Sequence, residues 1–382
     1  MTALAGPTEG LRRVRARVAL APPPPGHALD EHLAGLVREE FPLAGDAECS
    51  RLVDRLLADL TGLGPLEEYL ADPTVTEVMV NGGGACWVER AGRLQRTDVR
   101  IESDEVLRIV ERVVTPLGLR LDRAAPMVDA RLADGARIHA VIPPIAIDGP
   151  CVTIRRFGAG ALACSAFGVD PAAERLLRDA VAAGANLVVA GGTGAGKTTL
   201  LNTIGGWFAP TTRVVTIEET AELRLPGDHV IRLEARPANA EGAGAVSVRD
   251  LVRTALRMRP DRLVVGEVRG PEAVDMLQAL NTGHAGSATT LHANGAVEAL
   301  HRLESLAVLG GGELPIAAVR TQIAAAIDLI VVVARAAGGA RRITRIAEVT
   351  PPGSRLGVVE RWSARRGIAP GPSRRPVLGG AD

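Results

Sequence analysis

The chain has 382 residues, enough for two domains that each bury a core, and 47% of them are apolar while only eight are aromatic, so the cores must be aliphatic. Forty-four Lys and Arg balance 44 Asp and Glu; this neutrality, with so few aromatics, weighs against a general nucleic-acid binder, which needs a basic stripe or stacking platforms. The four cysteines (Cys49, Cys86, Cys151, Cys164) form no C-x-x-C pair, which excludes a zinc knuckle or a redox motif and fits reduced thiols.

The N-terminus carries Arg12, Arg13, Arg15 and Arg17, but the run Pro22 to Pro25 breaks the segment after them, and no apolar stretch makes a signal peptide. Residues 1–29 and 351–382, rich in Pro, Ala, Gly and Arg, read as disordered segments. Residues 30–157 read as a small α+β domain. Leu52, Val53, Leu56, Leu57 and Leu60 share a helical face, Thr74–Val80 and Cys86–Arg90 read as strands, and Ser103 opens a helix as its hydroxyl cap. Two more strands are expected near Ala136–Ile142 and Cys151–Arg155. Residues 158–170, with Gly158, Gly160 and Gly168, read as a hinge.

Residues 171–350 alternate helix and strand as a parallel α/β sheet does. Strands are expected at Asn186–Ala190, Arg213–Ile217, Arg262–Gly266 and Ala288–Leu291, and helices at Ala172–Ala183, Val248–Met258, Pro271–Asn281, Ala296–Leu309 and Pro315–Ala326. The apolar run Ile323–Val333 contains Asp328 and is too short to span a bilayer, so the sequence reads as cytoplasmic with no transmembrane segment.

The strongest signal is Gly191-Gly192-Thr193-Gly194-Ala195-Gly196-Lys197-Thr198, followed by Thr199. It fits G-x-x-x-x-G-K-[ST], a loop whose backbone N–H groups cradle phosphates, and it stands between an apolar strand and a helix as that motif requires. Lys197 is the single lysine of the chain, against 43 arginines. A compact ammonium suits a point-charge site between β- and γ-phosphates better than a broad guanidinium. The expected ligands are ATP and Mg²⁺, with the Thr198 hydroxyl on the metal.

Three further boxes supply catalytic candidates. The strand Leu263–Gly266 delivers Glu267, which would polarise water or hold Mg²⁺ directly or through water. Thr216–Glu222 delivers Glu218, the candidate general base, beside Glu219 and Glu222. The run Thr282–Asn294 holds His284 and His292, read as imidazole donors that sense the γ-phosphate rather than as zinc ligands.

These four boxes, in this order, resemble the secretion ATPases of the type II/type IV secretion and type IV pilus superfamily, and within it the tight-adherence (Flp pilus) and conjugal-transfer-associated branch. The resemblance spans about residues 60–335 and includes Gly62-Leu-Gly-Pro-Leu66, Met79-Val-Asn-Gly82, Arg131-Leu-Ala-Asp-Gly-Ala-Arg137 and Arg269. It implies a RecA-like phosphate-loop ATPase domain following a smaller N-terminal α+β domain that closes over nucleotide. It also implies a homohexamer working with inner-membrane platform proteins at the cytoplasmic face of the membrane. Arginines from outside the phosphate loop are implied as well, and the matching positions are Arg137, Arg155 and Arg156. His139 stands where relatives often carry asparagine, and the four-cysteine zinc module and long N-terminal regulatory region of some relatives have no counterpart here. The expected function is a motor for pilus assembly or protein secretion; the alternative is a RecA-like nucleic-acid motor for DNA transfer. A GTP switch is excluded, because N-K-x-D recognition of guanine needs a second lysine.

Overall fold

The computed structural model describes residues 7–369, apart from 24–27, 83, 91, 157–160, 240, 312, 313, 337, 338 and 354. The chain divides into two compact units, residues 1–157 and 158–382. Of the expected hinge, Gly158 and Gly160 lie outside the described residues, whereas Gly168 adopts the left-handed conformation that ends a short 3₁₀ turn, Cys164–Phe167.

The first unit opens with three helices, α1 (Pro7–Leu20), α2 (Leu29–Glu40) and α3 (Asp46–Thr61). The expectation of disorder over residues 1–29 is corrected for Pro7–Leu20, which form α1. Leu11, Val14 and Val18 recur on one stripe of α1 and pack on Leu33, Val37, Val53 and Leu56 of the other two helices. The arginines that made this stretch look basic are consumed locally: Arg13 meets Glu40 at 2.7 Å, Arg17 meets Glu39 at 2.6 Å, and Arg15 meets Asp59.

After α4 (Glu67–Ala71) come β1 (Val75–Val80), β2 (Ala85–Arg90), β3 (Arg93–Arg100), α5 (Ser103–Val114), β4 (Met127–Arg131), β5 (Arg137–Val141) and β6 (Cys151–Arg155). The strands form one antiparallel sheet in the order β3-β2-β1-β6-β5-β4. Alternation puts Val78, Val80, Val88, Ile138, Ala140, Val152 and Ile154 into the core, where Val106, Ile109, Val110 and Val114 of α5 join them. Burial of these four α5 side chains is worth about 1.5–3 kcal/mol each. Ser103 is not the cap of α5: Glu102 occupies that position and no side chain bonds the first turn, which instead carries Asp104 and Glu105 against the helix dipole. The strand β3 had no sequence signal, because RLQRTDVR is a charged, solvent-facing edge.

The second unit contains α6 (Pro171–Ala182), β7 (Leu187–Gly191), α7 (Lys197–Gly205), β8 (Val214–Glu218), β9 (Val230–Glu234), α8 (Val248–Ala255), β10 (Arg262–Val265), α9 (Glu272–Asn281), β11 (Ala288–His292), α10 (Ala296–Gly310), α11 (Ile316–Ala326), β12 (Leu329–Arg335), β13 (Arg341–Val349), β14 (Val358–Ser363) and β15 (Gly367–Ile368). Nine strands make one sheet, β15-β14-β13-β12-β7-β11-β10-β8-β9, parallel from β12 to β9 and antiparallel beyond β12. Every residue of β7 and β8 is buried. Val188 and Ala190 face one core while Leu187 and Val189 face another, which is why these strands read as unbroken apolar runs rather than alternating ones.

The expectation of disorder from residue 351 is corrected for β14 and β15. Trp362 is 2% exposed in the core and donates its indole N–H to Asp170 at 2.9 Å, while Arg361 is buried against Glu348. Residues 370–382 lie outside the described residues. Among the described residues, no helix is long and apolar enough to cross a membrane.

Candidate functional site

The phosphate loop leaves the carboxyl end of β7 and enters α7, as its spacing predicts. Two of its glycines are demanded by backbone angle, Gly194 at φ +69° and Gly196 at φ +96°. Gly191 is demanded by space, because a Cβ there would lie 2.5 Å from the Val333 carbonyl oxygen. Thr193 and Gly194 form the exposed tip, Ala195 is buried beneath them, and Thr198 and Thr199 stand half-buried in the first turn of α7. The backbone N–H groups and dipole at the amino end of a helix favour an anion there.

Lys197 is only 8% exposed, and its Nζ donates to the carbonyls of Gly191 at 3.2 Å and Gly192 at 3.1 Å. Its ammonium also stands 4.0 Å from Glu267 Oε1 and 3.4 Å from His292 Nε2, while His292 Nε2 lies 2.9 Å from that same Oε1. The strand register explains the meeting: His292 pairs with Gly191 across β11 and β7, and Glu267 follows β10 on the other side of β11. Burial pushes the His292 imidazole below its usual range, and Lys197, Arg269 and Arg302 add to this against the pull of Glu267. His292 is therefore neutral near pH 7 and presents one N–H donor.

Glu267 Oε1 is buried without a geometrically sound hydrogen bond. Its other oxygen pairs with Arg269, whose Nη1 reaches Glu219 at 3.0 Å. The turn carrying Arg269 is fastened by Glu272, which accepts from the Arg269 and Gly270 N–H groups at 2.7 and 2.8 Å. A buried carboxylate oxygen without a well-aligned hydrogen bond, a loop with no room for a Cβ at Gly191 or Gly196 and an inward ammonium fit a magnesium–triphosphate ligand. Thr198 and Glu267 are the residues that would hold such a metal, directly or through water.

Glu218 has a different setting. It is 4% exposed, and both oxygens accept from main-chain N–H groups, Oε1 from Glu222 and Leu223 at 2.9 Å each and Oε2 from Leu223 at 3.2 Å. Burial raises its carboxyl to about 7, against the lowering effect of those bonds. The side chain also packs on Gly266, where a Cβ would approach Glu218 Cγ to 2.6 Å. Its visible work is to fasten the loop after β8.

His284 does not join His292, and the expectation that both point to one site is corrected. The five-residue strand β11 separates them, about 16 Å at the usual rise. His284 sits at the amino end of that strand, where its Nδ1 pairs with the Ala279 carbonyl at 3.1 Å. Around it, Ser287 Oγ donates to the His284 carbonyl at 2.7 Å and accepts from Leu263 N–H at 2.9 Å. The second half of the box behaves otherwise, and Asn294 Oδ1 comes within 4.0 Å of where a Gly192 Cβ would stand.

Within the first unit, Arg137 and Arg155 are cross-strand partners on the polar face of β5 and β6. Arg137 pairs with Asp129 at 3.0 Å, as does His139 Nδ1 at 3.1 Å, and Arg155 meets Glu77 at 3.3 Å. Arg156 is tied more deeply, donating to the carbonyls of Asp72 and of Val75, the latter at 3.2 Å. Sequence reasoning missed Arg335 and Arg341, which flank the phosphate loop; they stand about 140 residues after it, on a hairpin with no motif of its own.

The family model described as type II/IV secretion system protein matches residues 59–355. A putative conjugal transfer protein of Mycobacterium tuberculosis (strain ATCC 25618 / H37Rv) is 43% identical over 338 residues, 86% of this chain and 96% of that protein. The type IV secretion system protein PtlH of Bordetella pertussis is 35% identical over 318 residues, 73% of this chain and 91% of that one. The crystal structure of the pilus retraction motor PilT with bound ADP covers 77% of this chain and 84% of its own, with a TM-score of 0.56 at 20% identity, and so shares the fold: a phosphate-loop α/β domain following a smaller α+β domain. On this match the chain belongs to the type II/IV secretion system protein family.

Proposed function

We propose that this chain hydrolyses ATP and that the hydrolysis drives a pilus-assembly or secretion machine at the inner face of the cytoplasmic membrane. One observation carries the reading: the single lysine of the chain is buried at the mouth of a phosphate loop, beside a carboxylate whose inner oxygen lies against His292 yet makes no well-aligned hydrogen bond. In this reading the Lys197 ammonium exchanges its two loop carbonyls for β- and γ-phosphate oxygens. Thr198 and Glu267 would hold magnesium, which when bound would supply charge neutralisation. Glu267 orients the attacking water through its inner oxygen, and neutral His292 donates its N–H toward the γ-phosphate. Glu218, the expected base, becomes a strut that holds the acidic loop with Glu219 at its start. Arg137 and Arg155 remain the candidate arginines reaching phosphate from outside the loop, with Arg156 the most firmly committed of the three to its own unit.

The pilus or secretion assignment leans on the names of the relatives, and the homohexamer and the inner-membrane platform partners lean on the family. The test is steady-state ATP turnover by the purified chain. Lys197→Ala and Glu267→Gln should each lower kcat by about 10²–10³-fold, with Glu267→Gln still binding nucleotide. Wild-type turnover in Glu267→Gln would overturn the role of that carboxylate, and a wild type without turnover would overturn the activity. Mass photometry with an ATP analogue should find six-membered rings. Stimulation by DNA at physiological salt would instead favour the nucleic-acid motor.

A further inference from the structure

The hairpin of β12 and β13 ends beside the phosphate loop. Its cross-strand pair nearest the turn is Arg335 and Arg341. Like charges placed opposite each other on a sheet repel, and here both side chains lean on the same glycine-rich loop. The Arg341 stem roofs Gly196, where a Cβ would meet its Cδ at 2.6 Å, and Arg341 Nη1 donates to Thr199 Oγ1 at 3.2 Å. Arg335 Nη1 stands 3.7 Å from the position of a Cβ on Gly194, and its Nε donates to the Gly339 carbonyl at 3.3 Å. The loop is thus bracketed from two sides. Lys197, Glu267 and His292 converge on one flank, and two guanidinium groups stand on the other, over the first turn of α7.

We propose that Arg335 and Arg341 are nucleotide-binding residues that hold the α- and β-phosphates from the same chain, so that ADP and ATP both depend on them. The proposal rests on the ATPase reading above and adds a division of labour within it. The lysine flank meets the transferred phosphate and shares the β-phosphate, and the hairpin flank meets only phosphates that ADP keeps. Thr199 marks the division, because Arg341 donates to its hydroxyl in the first turn of α7, and the amino end of a helix favours an anion.

The experiment measures the affinity of the full chain for ADP and for a non-hydrolysable ATP analogue. It compares wild type, Arg335→Ala, Arg341→Ala and Arg341→Lys with a control, Arg345→Ala, whose Nε pairs with Glu360 at 2.8 Å on the same hairpin. Each alanine variant at 335 or 341 should lose about tenfold in affinity for both nucleotides, as expected for one charge-assisted contact. Arg341→Lys should fall between that variant and wild type, and Arg345→Ala should match wild type. Unchanged affinities in variants that melt like wild type would overturn the proposal, as would a loss confined to the ATP analogue. If Arg341→Ala does not fold, Arg335→Ala and Arg341→Lys decide the matter alone. Should the wild type bind neither nucleotide, the ATPase reading falls as well.

Discussion

The two ends of the nine-stranded sheet are both polar, and they treat their polar groups in opposite ways. At the amino end Asn186 is buried and fully engaged: its N–H donates to Asp328 at 2.8 Å, its side-chain amide donates to the Ala326 carbonyl at 2.7 Å, and its side-chain oxygen accepts from Ser287 N–H at 3.1 Å. Ser287 and His284 complete that knot. At the carboxyl end the lysine leans on loop carbonyls, and a buried carboxylate oxygen makes no well-aligned hydrogen bond. The lesson is that polarity alone does not mark a site. A polar cluster that satisfies itself stitches strands together, while one left partly unsatisfied is arranged for something that is not part of the chain.

The sharpest way to break this comparison is to exchange the two histidines for alanine. His292→Ala should lower kcat by about 10²–10³-fold if its N–H meets the γ-phosphate, whereas His284→Ala should leave kcat unchanged and lower only the melting temperature. Equal kinetic losses would show that the two ends do not differ in this way.

Glu218 sharpens the comparison, since it stands at the carboxyl end yet is satisfied like a residue of the amino end. Burial lifts its folded carboxyl from an ordinary 4.5 to about 7, so the folded state holds the proton more tightly than the unfolded chain. That stabilisation is present in full below pH 4.5 and is lost as pH rises through 7. Unfolding free energy should therefore drop by about 3 kcal/mol between those limits through this group, and Glu218→Gln should remove the drop. Denaturant melts from pH 4.5 to pH 8 read it directly, and a wild-type profile identical to that of the variant would refute the assignment.

The smallest expected effect is at the amino end itself. Asp328→Ala leaves the buried Asn186 N–H without its acceptor and should cost about 1–3 kcal/mol of stability. Affinity for nucleotide, measured below the melting range, should stay at the wild-type value.

Much of the catalytic end could be read from the chain because its information is local. The glycines, Lys197 and the flanking strand and helix are contiguous, and their spacing encodes one backbone path. Glu267 was legible for a similar reason, as a carboxylate at the end of an apolar strand. Errors arose where pattern and neighbourhood part company. Two histidines eight residues apart look convergent along the chain, but a strand of five residues carries them to opposite ends of the sheet. Pro- and Arg-rich termini look disordered until α1 finds α2 and α3, or until Trp362 finds the core and Asp170.

Composition and motif by themselves determined that this is an aliphatic two-domain chain, that it carries a phosphate loop served by its only lysine, and that acidic and histidine boxes come after it in a fixed order. Only the tertiary structure decided which members of those boxes meet. Parallel register set His292 beside Gly191 and placed Glu267 next to both, burial turned Glu218 toward its own main chain, and an antiparallel hairpin returned Arg335 and Arg341 to a loop some 140 residues upstream. The reason is geometric: side-chain chemistry is written residue by residue, but proximity between distant residues depends on strand order and register, which the whole core sets together.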